Sequence, residues 1–366
     1  MKNFATNKEF LNSISNKLTE EYDFIIVGQG LAGTCLASEL IDQGKSVVVF
    51  DSPKLPSSSM VAGGLFNPIT GRNMVLSWKV NLLFPFLQKF YNNLEVKLGE
   101  RFLYDLPLYR PFASNEELND WQGKSTEDRY TPFVEFVSPE PYQSDFIKND
   151  LGGIMLRQTG YLNTKELLEQ FRLFLRAKEI LVEEEFLADK LNFNANSVVY
   201  KEYSARKIIL CDGPTGFGNQ LLENIRFHPL KGEVLHLNIN YNSNFILNRN
   251  AFVLPREGHF IAGSNYDLKG LDWEPTEGAK EEITSKIDKI LNIDYEIIGQ
   301  RAGLRPTTHD RRPVLGVLPS RPQVGVFNGL GTKGVSLAPY FANQFANFLI
   351  NGTEIDEEVH IGRFFK

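Results

Sequence analysis

The sequence predicts an α/β protein of two intertwined domains. One is built on a βαβ unit and assembled from three separated segments; the other is mainly antiparallel α+β. Three observations lead there. Residues 22–51 read as strand, glycine turn, helix and strand. From near residue 80 to 150, and again from 229 to 298, the composition differs from that opening unit, which marks a separate lobe. A glycine-rich region at 301–334 and a final helix then return the chain to the first domain. At 366 residues there is length enough for two cores.

Tyr22 to Val27 is a short apolar run rich in β-branched and aromatic residues, read as a buried strand. Leu31, Cys35, Leu36 and Leu40 then recur at helical spacing, and Gly44 is placed to stop that helix. Lys45 to Phe50 is a second strand, ending on Asp51. Residues 52–71 turn to Pro, Ser and Gly, an irregular loop. Val80 to Leu98 is a helix by spacing, whereas residues 100–150 show no clean period. Asn163 with Glu166 forms an N-terminal capping pattern for a helix to about Ala177. Strands are expected at 180–182, 198–200, 207–210, 234–237, 252–254 and 259–262, and helices at 277–291 and 335–350. Phe10, Leu11, Ile14 and Leu18 suggest a further N-terminal helix within an extension over residues 1–19.

The segment Gly28-Gln29-Gly30-Leu31-Ala32-Gly33 is a dinucleotide fingerprint in its required context. Gly28 permits the tight turn, Gly30 lets a pyrophosphate touch the backbone, and Gly33 lets the helix pack on the sheet. The helix N-terminus offers unpaired N–H groups and partial positive charge. Asp51 ends the next strand about 20 residues on, where a carboxylate can accept ribose hydroxyls. The context makes this a Rossmann-type domain. A single fingerprint with a distant C-terminal glycine-rich return favours FAD over NAD; an NAD-binding Rossmann protein is a further alternative.

Composition excludes several classes. A net charge of -6 gives no reason to expect a nucleic-acid partner. No run of about 18 apolar residues suggests a membrane span. The first residues are too polar for a signal peptide. Cys35 and Cys211 match no metal-ligand spacing, and as buried thiols they fit a reducing compartment, so a cytoplasmic enzyme without metal is expected.

Four segments together resemble the D-amino-acid oxidase family, in its glycine-oxidase and sarcosine-oxidase-like branch. They are YDFIIVGQGLAGTCLASELIDQGKSVVVFD, SSSMVAGGLFNPITGR, KIILCDGP, and AGLRPTTHDRRPVLG followed by GLGTKGVSLAPYFANQFANFL. The resemblance implies an FAD-binding domain from residues 20–80, 150–228 and 298–366, and a substrate domain from 81–149 and 229–297. It implies oxidation of a C–N bond in a small amine or amino acid, by hydride transfer to the flavin, with oxygen or another acceptor reoxidising it. The cofactor would be held by Gly28, Gly30, Leu31, Ala32, Gly33, Asp51 and Ser52, and by Met60, Ala62, Gly63 and Gly64 of the second segment. Phe186, Cys211, Asp212, Gly213 and Gly303 would complete the site with the closing loop Leu330, Gly331, Thr332, Lys333, Gly334 and Val335. Binding would be non-covalent, since no cysteine lies in the C-terminal loop.

Arg305 matches the arginine that the glycine-oxidase branch sets against a substrate carboxylate, a planar fork suited to bidentate contact. Lys333 falls where the last loop meets the flavin's pyrimidine end. Phe252 is a departure: the branch carries a tyrosine there, which puts simple glycine oxidation in doubt. His259 and Arg72 are further pocket candidates, each with a bland alternative as a surface residue. His309 and Asp310 are expected to be structural. The NPITGR-like segment also resembles the oxidase module of a bifunctional tRNA wobble-uridine enzyme, so a modified nucleoside is the rival substrate; the absent methyltransferase domain and the acidic balance count against it. A non-catalytic flavin-binding protein is the rival from another class.

Overall fold

The computed structural model describes residues 20–365; the expected N-terminal helix lies outside them. The chain opens with β1 (Glu20–Val27), α1 (Leu31–Asp42) and β2 (Val47–Phe50). After the loop comes α2 (Val80–Leu98), whose buried Leu83, Leu87, Tyr91 and Leu94 recur every three or four residues and form one face. Gly99 ends it in a left-handed conformation, φ 74°. Three strands that sequence periodicity did not reveal follow: β3 (Leu108–Pro111), β4 (Val134–Ser138) and β5 (Gly153–Leu156). Next are α3 (Thr164–Ala177), β6 (Leu181–Val182) and β7 (Tyr203–Leu210). The Asn163 side chain caps α3 by accepting from the Glu166 N–H.

The second half carries β8 (Leu230–Asn238), β9 (Ile246–Arg249), β10 (Ala251–Arg256), β11 (His259–Gly263), α4 (Glu277–Ile287) and β12 (Glu296–Arg305). It closes with β13 (Val314–Leu318), β14 (Arg321–Asn328) and α5 (Gly334–Asn351).

Two large sheets organise these elements. In the first, β6, β2, β1, β7 and β14 run parallel in that order. Alternate side chains of β1 feed opposite cores: Phe24 and Ile26 pack toward α1 and α5, Ile25 and Val27 toward the other face. Burial on both faces is why these strands read as continuous apolar runs.

The second sheet has the order β12-β8-β11-β10-β9-β3-β5-β4 and is antiparallel except between β9 and β3. Leu235, Val253 and Ala262 face α4 through Ile283 and Ile287. The opposite face, with Leu108, Phe252 and Val234, looks onto a cavity between the sheets.

Three elements sit elsewhere than the expected segments put them. β5 pairs with β3 and β4, so part of 150–228 belongs to the second sheet. β12 lies wholly in that sheet, from Glu296 to Arg305. The helix α2 packs on α5 of the first unit, where Tyr91 Oη donates to the Val335 carbonyl at 3.0 Å. Sequence position does not reveal which side a helix face chooses; the apolar stripe of α2 matches that of α5.

Candidate active site

The turn after β1 is built by close approach. Gly28 has φ 94°, and a Cβ there would stand 2.7 Å from the Cys211 carbonyl oxygen. A Cβ on Gly33 would stand 1.8 Å from the Gly28 carbonyl oxygen, so α1 can press on the turn only as glycine. Gly30 differs: a Cβ there would meet only the Ser59 Oγ, at 3.3 Å, leaving its other side open to a ligand. The Leu31 N–H donates to that same Oγ at 3.2 Å.

This turn forms one wall of a cavity of about 1120 Å³. Segments 28–32, 51–52, 60–64, 211–213 and 330–335 line it, with Phe186 and Gly303. Gly33 lies behind the wall, where its closeness to Gly28 holds the helix in place. Asp51 accepts from the Gln29 N–H at 2.8 Å and forms an ion pair with Arg172. Both carboxylate oxygens are therefore engaged, leaving their remaining lone pairs for a ribose. Burial pushes the Asp212 carboxyl up to about 7, against a hydrogen bond from its own backbone N–H and a long one from Asn328 Nδ2 at 3.3 Å. Burial also raises the Cys211 thiol well above its ordinary value.

The Lys333 ammonium donates to Thr70 Oγ1 and Ser77 Oγ, both at 3.1 Å, and so ties the C-terminal loop to the 69–77 hairpin. Burial lowers its pKa, and the Arg312 charge lowers it further. Beneath the glycine pair, Arg256 Nη2 donates to the Gly63 carbonyl at 2.7 Å while its guanidinium lies 3.8 Å from the Tyr161 ring centroid. The Phe252 ring fills the space beside Gly63, where a Cβ would stand 2.8 Å from its Cζ.

Arg305 reaches back from the end of β12 across β8, over Gly232. Its Nη2 donates to Ser264 Oγ at 2.8 Å, and the Tyr266 ring centroid lies 4.8 Å from its Cζ. Burial lowers its pKa, and no acidic side chain among the described residues offsets that. The Arg305 guanidinium is thus a desolvated cation that lines the cavity and has no acidic ion-pair partner among the described residues.

The match to known proteins decides the family. Residues 23–347 match the family described as FAD dependent oxidoreductase, DAO. The chain belongs to that family, and FAD is its cofactor. Glycine oxidase of Bacillus licheniformis is 25% identical over 369 residues, covering 91% of this chain and 94% of that protein. The tRNA 5-methylaminomethyl-2-thiouridine biosynthesis bifunctional protein MnmC of Marinobacter nauticus is 23% identical over 387 residues. That match covers 93% of this chain but only 58% of the relative. Among solved structures, glycine oxidase of Geobacillus kaustophilus superposes with a TM-score of 0.75 at 18% identity, covering 92% of this chain and 96% of that one. Iminodiacetate oxidase of Chelativorans sp. BNC1 gives 0.75 at 19% identity, with 93% and 98% covered.

The cavity is of a size to take FAD. Pockets for drug-sized ligands are roughly 300–1,000 Å³, and this one exceeds them. The open side of Gly30, the start of α1 and Asp51 form a cradle for the nucleotide half. The 60–64 and 330–335 segments line the remainder.

Of the further pocket candidates, His259 stands apart and Arg72 lines the cavity at its edge. His259 does not line the cavity: it sits at the far end of β11, stacked on His236 with centroids 5.2 Å apart, its Nδ1 3.2 Å from the Glu257 carbonyl oxygen. His259 and Gly263 share one face of β11, but Gly263 pairs with Phe252 on the cavity, whereas His259 pairs with Arg256 at the other end of the strand. Arg72 lies at the rim, exposed, and its carbonyl accepts from Arg110 Nη2 at 3.3 Å. Asp310 accepts from Arg363 Nε at 2.7 Å and from the Arg312 N–H at 3.0 Å, bonds that tie down the C-terminus. Arg110, Arg172, Asn248, Asn250 and Tyr266 also line the cavity and carried no sequence signal, since each is brought in by sheet register or a loop rather than by a motif.

Proposed function

We propose that the protein oxidises the C–N bond of an amino acid or a related amine, with Arg305 holding the substrate carboxylate. The observation that carries the reading is the guanidinium of Arg305, unpaired with any acid among the described residues, on the same cavity as the dinucleotide turn. FAD, when bound, would supply the acceptor for the hydride, and with it the one electron pair, leaving the carbon next to nitrogen. The chain's own contribution is orientation and exclusion of water. Arg305 fixes the carboxylate, Ser264 fixes Arg305, and Phe252 gives an apolar surface in mid-cavity. The imine formed from the substrate is then open to hydrolysis.

Phenylalanine at position 252 offers no hydroxyl, which favours an N-substituted or more apolar amino acid over glycine. The N–H groups of Gly331 and Lys333 donate to the Pro306 and Leu330 carbonyls, so those of Thr332 and Gly334 at the start of α5, with the Lys333 ammonium nearby, would meet a negative charge. We assign non-covalent FAD, oxygen as the acceptor and a cytoplasmic setting. No helix among the described residues is long and apolar enough to cross a membrane. A second reading, oxidation of a modified nucleoside, is favoured by the match along nearly the whole chain to the MnmC relative.

The test is the visible spectrum of the purified protein, followed anaerobically as amino acids, N-methyl amines and a uridine carrying an aminomethyl-type modification are added. Bleaching by an amino acid or N-alkyl glycine supports the first reading, bleaching by the nucleoside alone supports the second, and bleaching by none defeats both.

A further inference from the structure

The cavity face of the second sheet carries a second cationic group, placed opposite the first. Phe252 is the midpoint. On one side it pairs with Gly263, and Gly263 with Val234 of β8, the strand over which the Arg305 guanidinium lies. On the other side Phe252 pairs with Asn248, and the register Ile246 to Leu108 and Leu247 to Tyr109 carries Asn248 alongside Arg110. Phe252 therefore lies two strands from Arg110 and two from the strand beneath the Arg305 guanidinium. At about 4.8 Å per strand, the two cations stand roughly 10–20 Å apart across one face.

Arg110 is not spent on a structural pair. It is 8% exposed and lines the cavity. Its Nη2 contacts Glu117 Oε1 at 3.2 Å, but the same carboxylate takes Arg249 Nη1 at 2.8 Å. One negative charge thus serves two guanidiniums and leaves one positive charge over. The Nε of Arg110 is buried and has no hydrogen-bond partner among the described residues. A buried donor left without an acceptor is costly, and a bound acceptor would recover that cost. Asn248 and Asn250 line the cavity from the neighbouring strand segment and add neutral polar groups.

We propose that Arg110 is a specificity-determining residue that receives a second oxyanion, so that the substrate is an N-substituted amino acid with an anionic group at its far end. This rests on the reading of Arg305 as the carboxylate receptor. The far group is a carboxylate or a phosphoryl group, which share the chemistry of a multidentate oxygen acceptor.

The experiment uses the flavin-loaded protein in two arms. In the first, suberate and octanoate are titrated and binding is read from the flavin's absorbance changes, with no turnover required. Suberate is expected to bind roughly 10- to 100-fold more tightly, the range of one charge-assisted hydrogen bond. Arg110→Met should bring that ratio close to one. Glu117→Gln, which keeps both guanidiniums and removes their shared partner, should raise it. Flavin content reports whether each variant is folded, and the second variant keeps the test standing if the first does not fold. In the second arm, glycines bearing ω-carboxyalkyl, ω-phosphonoalkyl or plain alkyl groups of increasing length are compared as reductants. A preference for either charged series that Arg110→Met abolishes supports the proposal, and the better series names the oxyanion. Equal binding of suberate and octanoate, or a ratio that survives Arg110→Met, overturns it. If suberate is preferred but no amino acid bleaches the flavin, the anion site stands and the amino-acid reading fails.

Discussion

The Arg305 guanidinium occupies the space that any side chain at Gly232 would fill: a Cβ on Gly232 would stand 1.9 Å from Nη2 and 2.1 Å from Cζ. The two positions are on neighbouring strands, where Gly232 pairs with Gly303 and Arg305 lies two residues further along β12. The glycine is thus what lets the guanidinium lie down over β8 into the cavity. Gly232→Ala should displace it by about an ångström, a shift that can cost on the order of 100-fold in rate. The measurement is kcat/KM for a reducing amino acid, with flavin content as the folding control; an unaltered value would separate Arg305 from substrate binding.

Replacing Arg305 itself discriminates between carboxylate recognition and packing. Arg305→Met removes a charge-assisted hydrogen-bond donor worth about 1.5–3 kcal/mol. Anaerobic flavin reduction by an amino acid should slow by roughly 10- to 100-fold, whereas an amine lacking the carboxylate should be little affected. Equal losses for both substrates would point to a packing role.

The helix α1 is held by contact between Gly33 and Gly28 at a distance no side chain tolerates. Gly33→Ala must push the helix from the turn and disturb the N–H groups that face the pyrophosphate. Purified variant protein is expected to be colourless or to lose flavin on gel filtration, and to melt at lower temperature. Full retention of flavin would mean that the fingerprint is not the anchor.

Asp212 makes stability pH-dependent in a definite direction. With its carboxyl pushed up to about 7 by burial, the folded protein keeps a proton that the unfolded chain has lost above the ordinary carboxylate range. Stability therefore falls as pH rises from about 4 to about 7 and levels beyond, because the native state binds more protons in that window. Asp212→Asn removes this slope. Its melting temperature should match the wild type near pH 4 and exceed it above pH 7; parallel curves for the two proteins would refute the assignment.

Neither cysteine is suited to hold flavin covalently. Burial raises both thiols, Cys35 and Cys211, well above their ordinary value, so the nucleophilic thiolate is scarce. Acid precipitation should release all of the yellow colour into the supernatant. Colour retained in the pellet would contradict non-covalent binding.

The parts of the molecule legible in the sequence are those whose cause is local. The strand–glycine–helix unit was readable because Gly28, Gly30, Gly33 and Asp51 act within one short stretch. The helices α2, α3 and α5 were readable because a single apolar face repeats at the helical period. The strands β3, β4, β5 and β9 were not, since at four or five residues each they are too short for a period to show. Strand β3 pairs with β9 and β5, from residues 246 and 153 onward, a choice made by register.

The site divides the same way. Sequence by itself determined the family and FAD, and offered the glycine turn and Arg305 as candidates, because glycine spacing and a motif carry those. Tertiary structure decided that Arg305 lies over Gly232 without an acid partner, that His259 points to its own sheet end, and that Arg110 shares its carboxylate with Arg249 on the cavity's other side. The physical reason is that a charge's role depends on what desolvates it and what neutralises it, and in this chain the fold supplies both: Ser264 lies 41 residues from Arg305, and Arg249 lies 132 residues from the Glu117 that it shares with Arg110.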